Sequence, residues 1–162
     1  MADVAKYDEG KKSWRIENVS DNKAIVVDIA DIKQSVDLFN VKNCVVQIKG
    51  KFTSLSITNT EKTGIVFDTA MASVELTNCK SVQVQAQGSA PSVSIDNTDG
   101  ATVFLSKDAL NTEIITCKSI NLNISHPQEG SDDHVEVPVP SQFKSVYENG
   151  TWKTTPLEHV GV

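Results

Sequence analysis

Three stretches of this chain are near copies of one another. SLSITNTEK at 54–62, SVELTNCKS at 73–81 and SVSIDNTDG at 92–100 each begin 19 residues after the one before. A fixed period of this length marks a stacked repeat, in which no unit can close a core alone. Stepping by 19 from Val36 gives Leu55, Val74 and Val93, and from Leu38 it gives Ile57, Leu76, Ile95 and Ile114. A second register runs Val27, Val46, Ile65, Val84, Val103, Leu122, with Ile29, Ile48, Phe67, Ala86, Leu105, Ile124 beside it. Apolar residues two apart are the mark of strands with one buried face. Each unit therefore holds two short strands, and the expected fold is an all-β, right-handed parallel β-helix of about six two-strand coils.

The outward positions agree with that register. Lys42, Glu61, Lys80, Asp99 and Lys118 alternate in sign at the same period, so each charge has opposite neighbours in the coils above and below. Asp37, Ser56, Glu75, Ser94 and Glu113 form a second ladder, where serines separate the carboxylates. Asn40, Asn59, Asn78 and Asn97 are read as corner residues, since Asn tolerates left-handed backbone and can bond its copy in the next coil. Four segments follow: an extension at 1–13, the β-helix at 14–125, an acidic proline-containing connector at 126–142, and a hairpin with its tail at 143–162. Trp14 is expected to cover the open end of the first coil. Asn149-Gly150 is the strongest short-range hairpin signal in the chain, and the hairpin is expected to need another surface to be stable.

Charge excludes some function classes. The net charge is −6, with thirteen basic and fifteen acidic residues before 126 and two against six after it. A nucleic-acid surface needs concentrated positive charge, so none is expected. No apolar run approaches the ~18 residues that would span a membrane, and MADVAKYDEG lacks the basic start and apolar stretch of a secretory signal. A cytoplasmic protein is expected. Three cysteines, Cys44, Cys79 and Cys117, leave one unpaired in any scheme, and free thiols are expected.

Catalytic signals are weak. No histidine falls within the repeats, and His126, His134 and His159 lack zinc-ligand spacing. Glu75 and Glu113 sit two coils apart, too far for a paired-carboxylate site. The sole arginine, Arg15, is read as lying outside the stack, so no coil supplies a guanidinium. No enzyme, cofactor or metal is expected. Two corners stand out: IKGK, with Lys49 and Lys51 around Gly50, and NTDGATVFLSK, with Asp99, Gly100 and Lys107.

KKSWRIEN, VVQIKGK, GIVFD, DNTDGATVFLSK and PVPSQFKSVYENGTWKTT, taken together and in this order, resemble the C-terminal domain of the adenylyl cyclase-associated proteins. The resemblance implies a right-handed β-helix that dimerises through an exchanged C-terminal hairpin. It also implies binding of monomeric actin, with preference for the ADP form, and promotion of nucleotide exchange within the actin cytoskeleton. Carried onto this sequence, actin contact is expected from Lys49, Lys51, Asp99, Gly100, Lys107 and the tail residues Glu158, His159, Val160 and Gly161. The homodimer is expected to form through Phe143, Val146, Tyr147, Asn149, Gly150 and Trp152. The same coil architecture occurs in tubulin cofactor C and its relatives, which act on GTPases with a coil-borne arginine; that class, or a passive scaffold, is the alternative.

Overall fold

The structure, a computed structural model, describes residues 4–131 and 133–157. Each coil has a back strand and a front strand. β2 (Ser13–Ser20) and β3 (Ile25–Asp28) make the first coil. β4 (Ser35–Lys42) and the start of β5 (Val45–Thr58) make the second. The end of β5 with the start of β6 (Glu61–Thr77) makes the third, and the end of β6 with β7 (Lys80–Ala86) the fourth. β8 (Ser92–Asp96) with β9 (Asp99–Phe104), then β10 (Glu113–Cys117) with β11 (Ile120–Pro127), complete a solenoid of six coils. Equivalent strands pair in parallel from coil to coil.

The core is the set of inward ladders. Val36, Leu55, Val74 and Val93 are 0–1% exposed, as are Leu38, Ile57 and Leu76 in the neighbouring ladder. Each such side chain contributes about 1.5–3 kcal/mol by leaving water. Phe52 and Phe67 are fully buried in the solenoid with their rings 5.8 Å apart and edge to face.

The 19-residue period holds only in the middle. Trp14 pairs with Val36, a step of 22; Val36, Leu55, Val74 and Val93 follow at steps of 19; Val93 then pairs with Ile114, a step of 21. The end ladders are therefore corrected. Val27 pairs with Ile48 rather than Val46, and Val103 with Ile124 rather than Leu122. Thr116, not Ile114, lies beside Ile95, and Ile120, not Lys118, beside Asp99. Glu113 pairs with Ser92 instead of continuing the ladder from Ser94. At the last coil the insertion is two residues, which keeps every side chain on its face, because strand alternation has period two. They are absorbed at a 3-10 turn, Lys107–Ala109, between β9 and β10.

The corners explain the asparagines. Asn18, Asn40, Asn59, Asn78, Asn97 and Lys118 stack as one column of left-handed residues, with φ from 49° to 56°. Three residues on, Asp21, Asn43, Lys62, Ser81, Gly100 and Asn121 form a second left-handed column. Amide groups bridge coils within them: Asn40 Nδ2 donates to Asn18 Oδ1 at 2.7 Å, Asn97 Nδ2 to Asn78 Oδ1 at 2.6 Å, and Asn43 Nδ2 to Asp21 Oδ1 at 2.7 Å. Buried hydroxyls at the same corners turn back on the chain, as when Thr63 Oγ1 donates to the Glu61 carbonyl at 2.8 Å.

The ends are covered unequally. β1 (Ala5–Asp8) pairs antiparallel with β2, placing Tyr7 on Trp14 with ring centroids 5.2 Å apart. Trp14 packs on the core from outside and donates its Nε1 hydrogen to Gln34 Oε1 at 3.0 Å. At the other end β12 (His134–Val139) lies antiparallel on β11. Pro138 pairs with Asn123, and a proline is tolerated there because β12 is an edge strand. β10 pairs with β8 alone and carries no strand on its other edge among the described residues. β13 (Phe143–Glu148) and β14 (Thr151–Pro156) form a separate two-stranded sheet.

Candidate functional site

Strand alternation sends a second set of side chains outward, and the two faces differ in kind. On the back face the outward ladders include Glu17, Asp37, Glu75 and Asp96. On the front face Val26, Gln47, Val66, Gln85 and Phe104 stack in one ladder, and Val45, Gly64, Gln83 and Thr102 in the next. None of these nine is charged, in a chain whose net charge is −6. A flat face lacking charge at its centre has the composition of an interface core.

A groove of about 610 Å³ lies on this face. Gln83, Gln85 and Gln87 line it together with Val66 and Phe104. Lys107, on the inserted 3-10 turn, stands at one margin, and Pro127 and His134 close another. Ser106 holds that turn in place. Its Oγ accepts from the Asp108 N–H at 3.2 Å and donates to the Gly88 carbonyl at 2.7 Å. Gly88 is required there, since a Cβ would lie 2.7 Å from the Asp68 carbonyl.

The expected contact residues are not one cluster. Lys49 and Lys51 lie on the edge of the front face around Gly50, at φ 97°. Lys49 pairs in register with Asp28, so its charge is locally opposed. Lys51 pairs with Thr69, which stacks under Gly88, which in turn meets Ser106; Lys107 is thus three coils on, ~14 Å along the axis. Asp99 and Gly100 occupy the opposite corner, eight residues or ~26 Å from Lys107 along an extended strand. There Asp99 accepts from Asn121 Nδ2 at 3.0 Å, and Gly100, at φ 85°, is a member of the second left-handed column. Glu158, His159, Val160 and Gly161 lie outside the described residues. Among the described residues, Lys107 alone of the expected set lines the groove. Its glutamines were missed in the sequence, although VQVQAQG at 82–88 alternates uncharged amides with core residues.

Arg15 requires a correction. It lies on β2 within the first coil, paired with Asp37, and its Nη1 is 3.7 Å from Glu17 Oε1. The expectation that no coil carries an arginine therefore fails.

The hairpin residues are placed together. Asn149 and Gly150 form a two-residue loop, both left-handed, with φ 50° and 80°. Tyr147 and Trp152 pair across it with ring centroids 5.6 Å apart, and they are 63% and 69% exposed. Phe143 and Val146 are exposed as well. The three cysteines are free thiols: Cys44 and Cys79 buried, Cys117 exposed. Burial pushes the Cys79 thiol up from its ordinary value, against a smaller opposing effect of hydrogen bonding with the backbone of Thr60 and Thr77. Among the described residues no three His, Cys, Asp or Glu side chains converge on a metal position, and no helix is long and apolar enough to cross a membrane.

Comparison with known proteins agrees with this architecture. Residues 3–159 match the family model for the adenylate cyclase associated (CAP) C-terminal domain. Mouse adenylyl cyclase-associated protein 1 is 40% identical over 153 residues, covering 94% of this chain and 32% of the relative. Human adenylyl cyclase-associated protein 2 is 40% identical over 150 residues, covering 93% and 31%. The chain therefore spans about a third of the length of the curated relatives it matches. The crystal structure of cyclase-associated protein from Cryptosporidium parvum superposes with a TM-score of 0.83 at 23% identity, over 97% of this chain and 96% of that one, which supports the fold. The chain belongs to the family of the adenylyl cyclase-associated protein C-terminal domain.

Proposed function

We propose that this protein binds monomeric actin, prefers the ADP form, and promotes nucleotide exchange, acting by binding without covalent chemistry of its own. It works in the cytoplasm, within the actin cytoskeleton, as a homodimer, with no nucleic-acid partner, no membrane insertion and no cofactor. The observation that carries the reading is the uncharged front face, a broad protein-docking surface on a chain whose family is tied to actin by the resemblance given above. A rigid solenoid suits such a task. A ligand shifts a conformational equilibrium only by its differential affinity for the two states, and a stiff surface that fits one actin conformation supplies that difference.

The homodimer rests on two complementary features. An isolated two-stranded hairpin is marginal in water, and this one exposes Phe143, Val146, Tyr147 and Trp152. Among the described residues one edge of β10 carries no strand, beside the exposed Ile115. A hairpin exchanged onto a second copy would cover both, and exchange of an identical element is a low-cost route to dimers.

Release of a fluorescent nucleotide from ADP-actin monomers tests the function. Acceleration is expected, and it should weaken when Gln85 is replaced by Glu, which puts charge at the centre of the front face. No acceleration and no binding would overturn the reading. Arg15 on the first coil keeps GTPase regulation as a second reading; stimulated GTP hydrolysis on tubulin-type or Ras-type GTPases, abolished by Arg15→Ala, would favour it.

A further inference from the structure

Eight asparagines hold left-handed backbone among the described residues. Seven of them sit in the solenoid corners, and each precedes a residue with a side chain: valine, cysteine, threonine or leucine. Several of those amides are also locked, as in the bonds from Asn97 to Asn78 and from Asn121 to Asp99. The eighth, Asn149, is set apart by its successor and by its place at a hairpin tip rather than in a coil. It precedes glycine, it is exposed, and its side chain makes no hydrogen bond among the described residues. A Cβ built on Gly150 would meet nothing within 4 Å, so the space beside that residue is open.

We propose that Asn149-Gly150 is a spontaneous modification site, where conversion of asparagine to isoaspartate sets the working lifetime of the hairpin. The deprotonated Gly150 nitrogen attacks Asn149 Cγ, and the side-chain amide nitrogen departs as ammonia, closing a five-membered succinimide. One water then adds to either imide carbonyl and opens the ring to aspartate or isoaspartate. A water enters, an ammonia leaves, and nothing is oxidised or reduced. Attack requires Asn149 to leave its left-handed turn conformation, so opening of the hairpin gates the reaction. Among the described residues the hairpin forms its own two-stranded sheet, and fraying at its two-residue tip is enough for the attack, whether or not its strands lie on a second copy. The corner asparagines wait on unfolding of whole coils.

Isoaspartate routes the backbone through the former side chain and adds one methylene. A two-residue loop has no slack for it: Glu148 and Thr151 pair directly across the turn, and Tyr147 packs on Trp152 one step further in. The modified hairpin loses this register, and with it the surface presented to a second copy. That consequence rests on the exchanged-hairpin reading; the chemistry does not.

The test is ageing of the intact chain in mildly alkaline buffer, followed by tryptic mapping. Residues 145–153 fall in one peptide with Asn149 as its single asparagine. It should gain one dalton at least about tenfold faster than the peptides carrying Asn97 or Asn121, with isoaspartate in excess over aspartate. Equal rates at the corner asparagines, or aspartate as the main product, overturn the proposal. The aged sample should lose the solution mass of the fresh protein in step with its isoaspartate content. A mass that holds while isoaspartate accumulates removes the added methylene as a cause of dimer loss. A fresh protein that is monomeric overturns the exchanged hairpin and leaves the mapping result to decide the site.

Discussion

Gly88→Ala is the substitution that best tests how the groove margin is built. The added Cβ would sit 2.7 Å from the Asp68 carbonyl oxygen and 2.8 Å from Asp68 Oδ1, and it would also clash with Thr69 Oγ1. The Thr69 hydroxyl can rotate away, at the cost of its bond from the Ser89 N–H at 3.3 Å. The Asp68 carbonyl cannot move freely, because it accepts the Gly88 N–H at 2.7 Å. Overpacking against fixed backbone costs about 1–3 kcal/mol. Gly64→Ala is the matched control in the same solenoid, since a Cβ there meets nothing within 4 Å and φ is not positive. It should be neutral or stabilising by about 0.4–1 kcal/mol through the unfolded state. Urea midpoints of the two variants should differ accordingly, with Gly88→Ala melting about 4–8 °C lower for a 2 kcal/mol loss. Thr69→Ala in the Gly88→Ala background should recover only part of that loss. Full recovery, or equal midpoints for the two glycine variants, would refute the assignment of the clash to backbone.

Four further outcomes follow from the same geometry. Native protein treated with a thiol reagent should react at Cys117, with Cys44 and Cys79 silent until unfolding. Because folding raises the Cys79 thiol, the stability it contributes is present below the ordinary thiol range and lost as pH rises through the folded value, and Cys79→Ser should flatten that alkaline loss in a denaturation series. Replacing both Tyr147 and Trp152 by Ala should halve the mass measured by light scattering while leaving the thermal midpoint of the solenoid nearly unchanged, and an unaltered mass would remove the hairpin from the dimer. At the corner, Asn97→Ala should destabilise by about 1 kcal/mol, since alanine resists left-handed backbone, whereas Asn97→Gly should cost a few tenths.

The middle coils were legible because three 19-residue steps repeat both the apolar ladders and the corner asparagines. The end coils were not, and the reason is physical. A two-residue insertion keeps Val103 and Ile124 on the inward side, so ladders drawn at the wrong step still look correct. β12 was invisible because HVEVPV lies in a proline-containing acidic segment, and only its antiparallel place on β11 makes a strand of it. Arg15 was misplaced because the first coil is three residues longer than the period, so RIEN matches no later copy at a step of 19. The hairpin was plain from Asn149-Gly150 alone. The groove was half legible: the alternation in VQVQAQG gives its outward glutamines, but which face lacks charge emerges only after all coils are stacked.

That last point bears on how such a fold acquires a binding site. Within the regular coils every corner and ladder is committed to its neighbours, so a change in one must be matched in the next. An insertion between coils is free of that demand provided that it preserves alternation. The 21-residue step satisfies this: it leaves Ile114 and Leu122 turned toward the core while raising the 3-10 turn that carries Lys107 to the groove margin. Ser106 ties the turn to the coil below through the Gly88 carbonyl, so the inserted loop is held rather than free. The one expected contact residue found at the groove is thus the one borne by the segment that breaks the repeat. Asp99 and Gly100, which follow Lys80 and Ser81 at the 19-residue step, are drawn into its ladder and corner instead.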